Sequence, residues 1–103
     1  MDQQEILKIV DQYVALIRQH YSPRKIILFG SYAKGLANQN SDIDIAVIVD
    51  EIIGDYLDNT FLLYKLRRNV DDRIEPVLLE LENDPSGFLQ EIIKTGQVVF
   101  EAA

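Results

Sequence analysis

Two short apolar runs, each with polar chemistry at one end, constrain this chain more than anything else in it. Ile26 to Phe29 runs straight into Gly30-Ser31; it is too short for a helix and suits a buried strand. Asp42 to Val49 alternates at its start and is apolar on both faces at its end, the pattern of a strand that presents acids at a rim and then enters a core. The ten residues between, Tyr32 to Ser41, contain Gly35, Asn38 and Asn40 and leave room for one or two helical turns and a loop. Gly30-Ser31 closes the first strand and the aspartates open the second. If both serve one site, the strands run antiparallel.

The remaining elements follow from periodicity and punctuation. Ile6, Ile9, Val10, Tyr13 and Ile17 recur at helical spacing between Glu5 and Gln19, with Pro23 closing the segment. Residues 56 to 68 place Leu57, Phe61, Leu62 and Leu66 on one helical face, with Lys65, Arg67 and Arg68 at the end that suits the helix dipole. Arg73 to Leu79 reads as a third strand, and Pro76 within it favours an edge position or a bulge. Asp84-Pro85 opens a last helix by capping, Gly96 ends it, and Gln97 to Phe100 extends as a final short strand. The expected architecture is α/β, a small mixed sheet with helices packed on it.

Composition bounds what such a chain does. At 103 residues it is expected to be a single domain, 1–103. No apolar run approaches the roughly 20 residues of a membrane span, and the polar start Met1-Asp2-Gln3-Gln4-Glu5 does not resemble a signal peptide, so a cytoplasmic protein is expected. Cysteine is absent, which excludes disulfides and zinc–thiolate sites. A formal charge of -7 argues against direct binding to nucleic acid, though not against a nucleotide carried by a metal ion.

Asp42 and Asp44 sit at i and i+2, so on a strand they share a face about 7 Å apart along the backbone. Two unit charges at that distance repel by about 2 kcal/mol at an effective dielectric of about 20, which folding alone would not favour. A divalent cation, Mg²⁺, relieves it. Ser31 follows a glycine where a strand turns, so backbone N–H groups and a hydroxyl meet there and suit a phosphate.

Phe29-Gly30-Ser31, ten residues, then Asp42-Ile43-Asp44-Ile45 resembles the signature of the nucleotidyltransferase superfamily that includes DNA polymerase beta, kanamycin nucleotidyltransferase and the stand-alone minimal nucleotidyltransferases. The resemblance implies a polymerase beta-like core in which Asp42 and Asp44 bind Mg²⁺, two ions in all, and Gly30 and Ser31 hold the phosphates of a nucleoside triphosphate such as ATP. It implies a third carboxylate on a neighbouring strand as well. Glu75 is the candidate, lying between Ile74 and Val77 where an unpaired carboxylate is costly; Asp71 and Asp72 compete but read as the turn before the strand. The members that lack an appended substrate domain imply transfer of AMP to a protein hydroxyl, the partner being a HEPN-type toxin and the chain its antitoxin. Two alternatives stand beside this: a binding module that blocks such a ribonuclease by contact, and an enzyme that modifies an antibiotic.

Other charged and aromatic residues carry plainer expectations. Lys34 either reaches the triphosphate or pairs with Asp42 or solvent, and Arg73 is expected to neutralise Glu75 from the same strand face. His20 is assigned no role. Tyr13, Tyr56 and Tyr64 are expected in the core or an interface, and Tyr32, beside the phosphate turn, is placed to stack on a base. Val98-Val99-Phe100 offers either a partner contact or a covered edge strand.

Overall fold

The computed structural model describes residues 3–38 and 40–103, so the first two residues of the polar N-terminal segment and Gln39 of the central loop lie outside the described residues. The elements are α1 (Gln3–His20), β1 (Lys25–Phe29), β2 (Ile43–Val49), α2 (Tyr56–Arg67), β3 (Ile74–Glu80), α3 (Phe88–Thr95) and β4 (Gln97–Glu101). The strands form one sheet in the order β3-β2-β1-β4. β1 is antiparallel to β2 and β4, while β2 and β3 run parallel, which makes the sheet mixed. Pro76 lies on the edge strand β3, where a residue without an N–H is tolerated.

Strand alternation divides the core into two. On one face Ile26, Leu28, Ile43, Ile45, Val47, Ile74 and Leu78 pack against Ile6, Val10, Tyr13, Val14 and Ile17 of α1 and Leu63 and Leu66 of α2. On the other, Ile27, Ala46 and Ile48 pack against Leu89 and Ile92 of α3. In α1 the helical stripe is as expected except that Val14 enters the buried set, whereas Ile9 is only partly covered. The buried Tyr13 hydroxyl donates to the Leu63 carbonyl at 2.7 Å, so its one polar atom is satisfied.

The structure corrects three local expectations. In α2 the buried side chains are Leu63 and Leu66, while Leu57 is 59% and Phe61 66% exposed. Long-range bonds set that rotation: Tyr13 to the Leu63 carbonyl, and Tyr21 to Asn59 Oδ1 at 2.6 Å. The last helix begins at Phe88 rather than at Asp84-Pro85, yet the Asp84 carboxylate still accepts the N–H groups of Leu89 and Gln90 at 2.9 and 3.0 Å. The cap therefore acts from a turn upstream of the helix. Finally, the segment after β1 is a series of turns closed by Lys34 N–H to the Gly30 carbonyl and Leu36 N–H to the Ser31 carbonyl, not a helix. No helix among the described residues is long and apolar enough to cross a membrane.

Candidate active site

The sheet register assembles the site. Phe29 of β1 is the Cα partner of Asp44 on β2, and Asp44 in turn is the partner of Glu75 on β3. Neighbours in register point to the same side, so the three form one row across three strands, on the face that α3 covers. α3 is only eight residues long and packs over Ile27, Ala46 and Ile48. The row lies at the rim beyond them, with Phe88 at the start of α3 edge-on to Phe29, ring centroids 5.9 Å apart. Asp42 is exposed immediately before β2, and Asp44 and Glu75 are half-buried.

Gly30 stands against this row and is required there on two grounds. Its φ of 73° is in the left-handed region, and a Cβ at this position would run into the Asp44 carboxylate. The turn that follows uses the N–H groups of Lys34, Gly35 and Leu36 internally. Among the described residues no backbone carbonyl takes the N–H groups of Ser31, Tyr32 or Ala33, the donors a phosphate needs. Tyr32 itself is 8% exposed, with its hydroxyl on the Asn38 carbonyl at 3.1 Å, so it anchors the loop and is not the base-stacking surface expected of it.

Electrostatics tie the carboxylates together. Burial first, then the charges of Asp42 and Glu75, hold the Asp44 carboxyl above the usual carboxylate range. Glu75 is held from the side: the Tyr64 hydroxyl donates to its Oε2 at 2.9 Å, and Arg67 Nη1 lies 3.5 Å from its Oε1. Arg67 also donates to the Ile74 carbonyl at 2.8 Å and stacks on the Tyr64 ring, 4.7 Å from the centroid. The hydrogen bond to Glu75 is the chief cause that pushes the Tyr64 phenol up.

Asp42, Asp44 and Glu75 together form a hard-oxygen donor set suited to Mg²⁺. They fit that ion in chemistry, although among the described residues no three acidic or histidine side chains close into a ready cage. The two oxygens of Glu75 face Tyr64 and Arg67.

Several expected partners differ. Among the described residues no ion pair joins Arg73 to Glu75; the Arg73 guanidinium meets Asp71 at 2.7 Å, a contact two residues away that holds Asp71 below the usual carboxylate range. Arg67 takes the role instead. Lys34 is exposed to solvent, one of the expected alternatives, and among the described residues forms no ion pair with Asp42. Tyr56 is 50% exposed and so lies outside the core. Tyr64 and Arg67 went unrecognised as site residues in the sequence, where their only signal is i, i+3 spacing on one helix face. A cavity of about 460 Å³ at the other end of β2, lined by Tyr21, Val49, Asp50, Ile52, Asn59 and Leu62, is separate from the carboxylate row.

Comparison with known proteins decides the family. The polymerase beta nucleotidyltransferase family matches residues 11–103. The chain belongs to this family. It is similar to MJ0604 of Methanocaldococcus jannaschii, provisionally named a protein adenylyltransferase, at 33% identity over 90% of this chain and 96% of that one. It is also similar to the protein adenylyltransferase MntA of Shewanella oneidensis, at 32% identity over 84% of this chain and 61% of MntA. With MJ1379 of M. jannaschii the match is shorter, 43% identity over 46% of this chain and 47% of the relative, so this chain spans about half of that protein. Among solved structures, a toxin–antitoxin with AMP-PNP superposes with a TM-score of 0.71 at 28% identity, covering 89% of this chain and 73% of the other. A complex of the tri-AMPylated S. oneidensis HEPN toxin with its MNT antitoxin gives a TM-score of 0.62 at 26% identity, over 99% of this chain and 74% of the other. The chain is therefore a nucleotidyltransferase built on a mixed four-stranded sheet.

Proposed function

We propose that the chain transfers AMP from ATP to a hydroxyl of a HEPN-type toxin and acts as its antitoxin. The observation that carries this reading is the row Asp44–Glu75 beside Asp42, with Gly30 packed against Asp44. The relatives named protein adenylyltransferase and the AMPylated toxin in the neighbouring complex support the choice of donor and acceptor.

Asp42, Asp44 and Glu75 would hold Mg²⁺, which when bound offsets charge on the triphosphate and on the attacking and leaving oxygens. The chain's own residues do the rest. Gly30 and the N–H groups from Ser31 to Ala33 receive the phosphate oxygens and fix their approach. Asp44, whose carboxyl is held above the usual carboxylate range, gains when positive charge arrives. Glu75 would lie on the acceptor side, where its carboxylate would take a proton from the attacking hydroxyl; that it accepts a hydrogen bond from Tyr64 supports this reading. Tyr64 and Arg67 position Glu75.

The test is incubation with ATP, Mg²⁺ and a HEPN protein from the same genome, followed by mass spectrometry and a ribonuclease assay. AMP added to the toxin with loss of its nuclease activity is the expected result. Suppression without any mass change would show a contact-only neutraliser, and no effect on the toxin would overturn the antitoxin reading. Glu75→Gln is expected to keep nucleotide binding while transfer falls by orders of magnitude.

A further inference from the structure

The acceptor side of the site is already occupied by a hydroxyl of this chain. The Tyr64 phenol lies 2.9 Å from Glu75 Oε2, hydrogen-bonded to the carboxylate assigned to the attacking group. Resting on the transferase reading above, we propose that the chain also adenylylates itself on Tyr64, within one molecule, when no partner presents a hydroxyl.

The five tyrosines differ in their surroundings, and only this one meets the row. Tyr13 is fully buried on the Leu63 carbonyl, Tyr21 bonds Asn59, and Tyr32 bonds the Asn38 carbonyl. Tyr56 is exposed at the start of α2, two turns before Tyr64. The Tyr64 side chain is part-buried, braced by the Arg67 guanidinium 4.7 Å from its ring, so its hydroxyl is held in place. Such preorganisation favours an intramolecular acceptor over a free one.

The step balances without a further reactant. The phenolic oxygen bonds to the α-phosphorus while the bond from that phosphorus to the bridging oxygen breaks; pyrophosphate leaves with the electron pair, and the phenolic proton passes to Glu75. The product is a tyrosyl phosphodiester whose negative charge sits beside Arg67, the one cation paired with Glu75 among the described residues. A nucleotide attached there also blocks the acceptor side. Modification is thus limited to one AMP per chain and withdraws that chain from acting on a partner.

The experiment uses the full chain with ATP and Mg²⁺ and no other protein, read by intact mass and peptide mapping. One AMP on Tyr64 is expected, with an initial fractional rate that does not change with protein concentration, and its loss in Tyr64→Phe. Absence of the increment in a chain that binds α,β-methylene-ATP would overturn the proposal and leave the transferase reading standing; absence of both would overturn the two together. Modification at another residue, or a fractional rate that climbs with protein concentration, also overturns it. A second readout needs no nucleotide. A carboxylate hydrogen bond quenches phenol emission, so Glu75→Ala is expected to brighten the otherwise wild-type chain and to have no such effect in the Tyr64→Phe background. Identical responses in the two would contradict the geometry on which the proposal depends.

Discussion

The two faces of the sheet are unequal. Against α1 and α2 the described residues bury sixteen side chains, whereas against α3 they bury five. A short helix leaves the rim of its face uncovered, and there β1, β2 and β3 carry Phe29, Asp44 and Glu75 in register. The thick face holds the fold together; the thin one leaves its rim open, where the proposed triphosphate would sit. β2 serves both, since Ile43, Ile45 and Val47 point into the larger core while Asp44 points out at the rim.

Asp44→Asn is expected to have the largest effect, lowering transfer on the order of 10³-fold while leaving the fold intact, as steady-state assays beside far-UV circular dichroism would show. On the thick face, Ile45→Ala is expected to cost about 3–4 kcal/mol in urea unfolding, because it opens a cavity in a fully enclosed site. Leu89→Ala on the thin face is expected to cost about 2–3 kcal/mol, since α3 can shift to fill the space. Equal losses would mean that the two faces act as one core. Gly30→Ala sharpens the contrast at the rim: the left-handed φ alone is worth about 1–2 kcal/mol, but the displaced Asp44 makes the loss of transfer disproportionate to the loss of stability.

The smallest effect concerns pH. The folded Asp71 carboxyl lies below its ordinary value through its hydrogen bonds to Arg73, so its contribution is present above the unfolded pKa and disappears as pH falls through the folded one. Asp71→Asn is therefore expected to lose at most about 1 kcal/mol at pH 7, and the gap to the wild type is expected to close in strong acid. Asp44 has the opposite sign. Its raised folded pKa means that stability declines as pH rises from the ordinary carboxylate range through the folded value, and the penalty persists above it.

What was legible in the sequence was what the chain encodes locally. Gly30-Ser31 and Asp42 mark the ends of two strands, and those ends imposed the antiparallel pairing that the register shows. Pro76 likewise pointed to an edge strand. The buried face of α2 was not legible, because Leu57, Phe61, Leu62, Leu63 and Leu66 surround much of the helix and distant hydroxyls on Tyr13 and Tyr21 choose among them. Arg73 was misassigned for a related reason: Asp71, two residues back, accepts both its backbone N–H and its guanidinium, which a strand-face argument does not anticipate. Tyr64 and Arg67 reach Glu75 only because α2 packs beside β3, a tertiary fact that no spacing within the helix contains.

The most direct test of a metal-dependent rim is a set of four thermal melts at neutral pH, wild type and Asp44→Asn, each with and without Mg²⁺. Removing the carboxylate relieves repulsion from Asp42 and Glu75, so the variant is expected to melt at or above the wild type without the ion, and only the wild type is expected to gain from adding it. A variant clearly less stable than the wild type in the absence of Mg²⁺, or one that gains as much from the ion, would show that Asp44 is a structural group and that the row does not hold a metal.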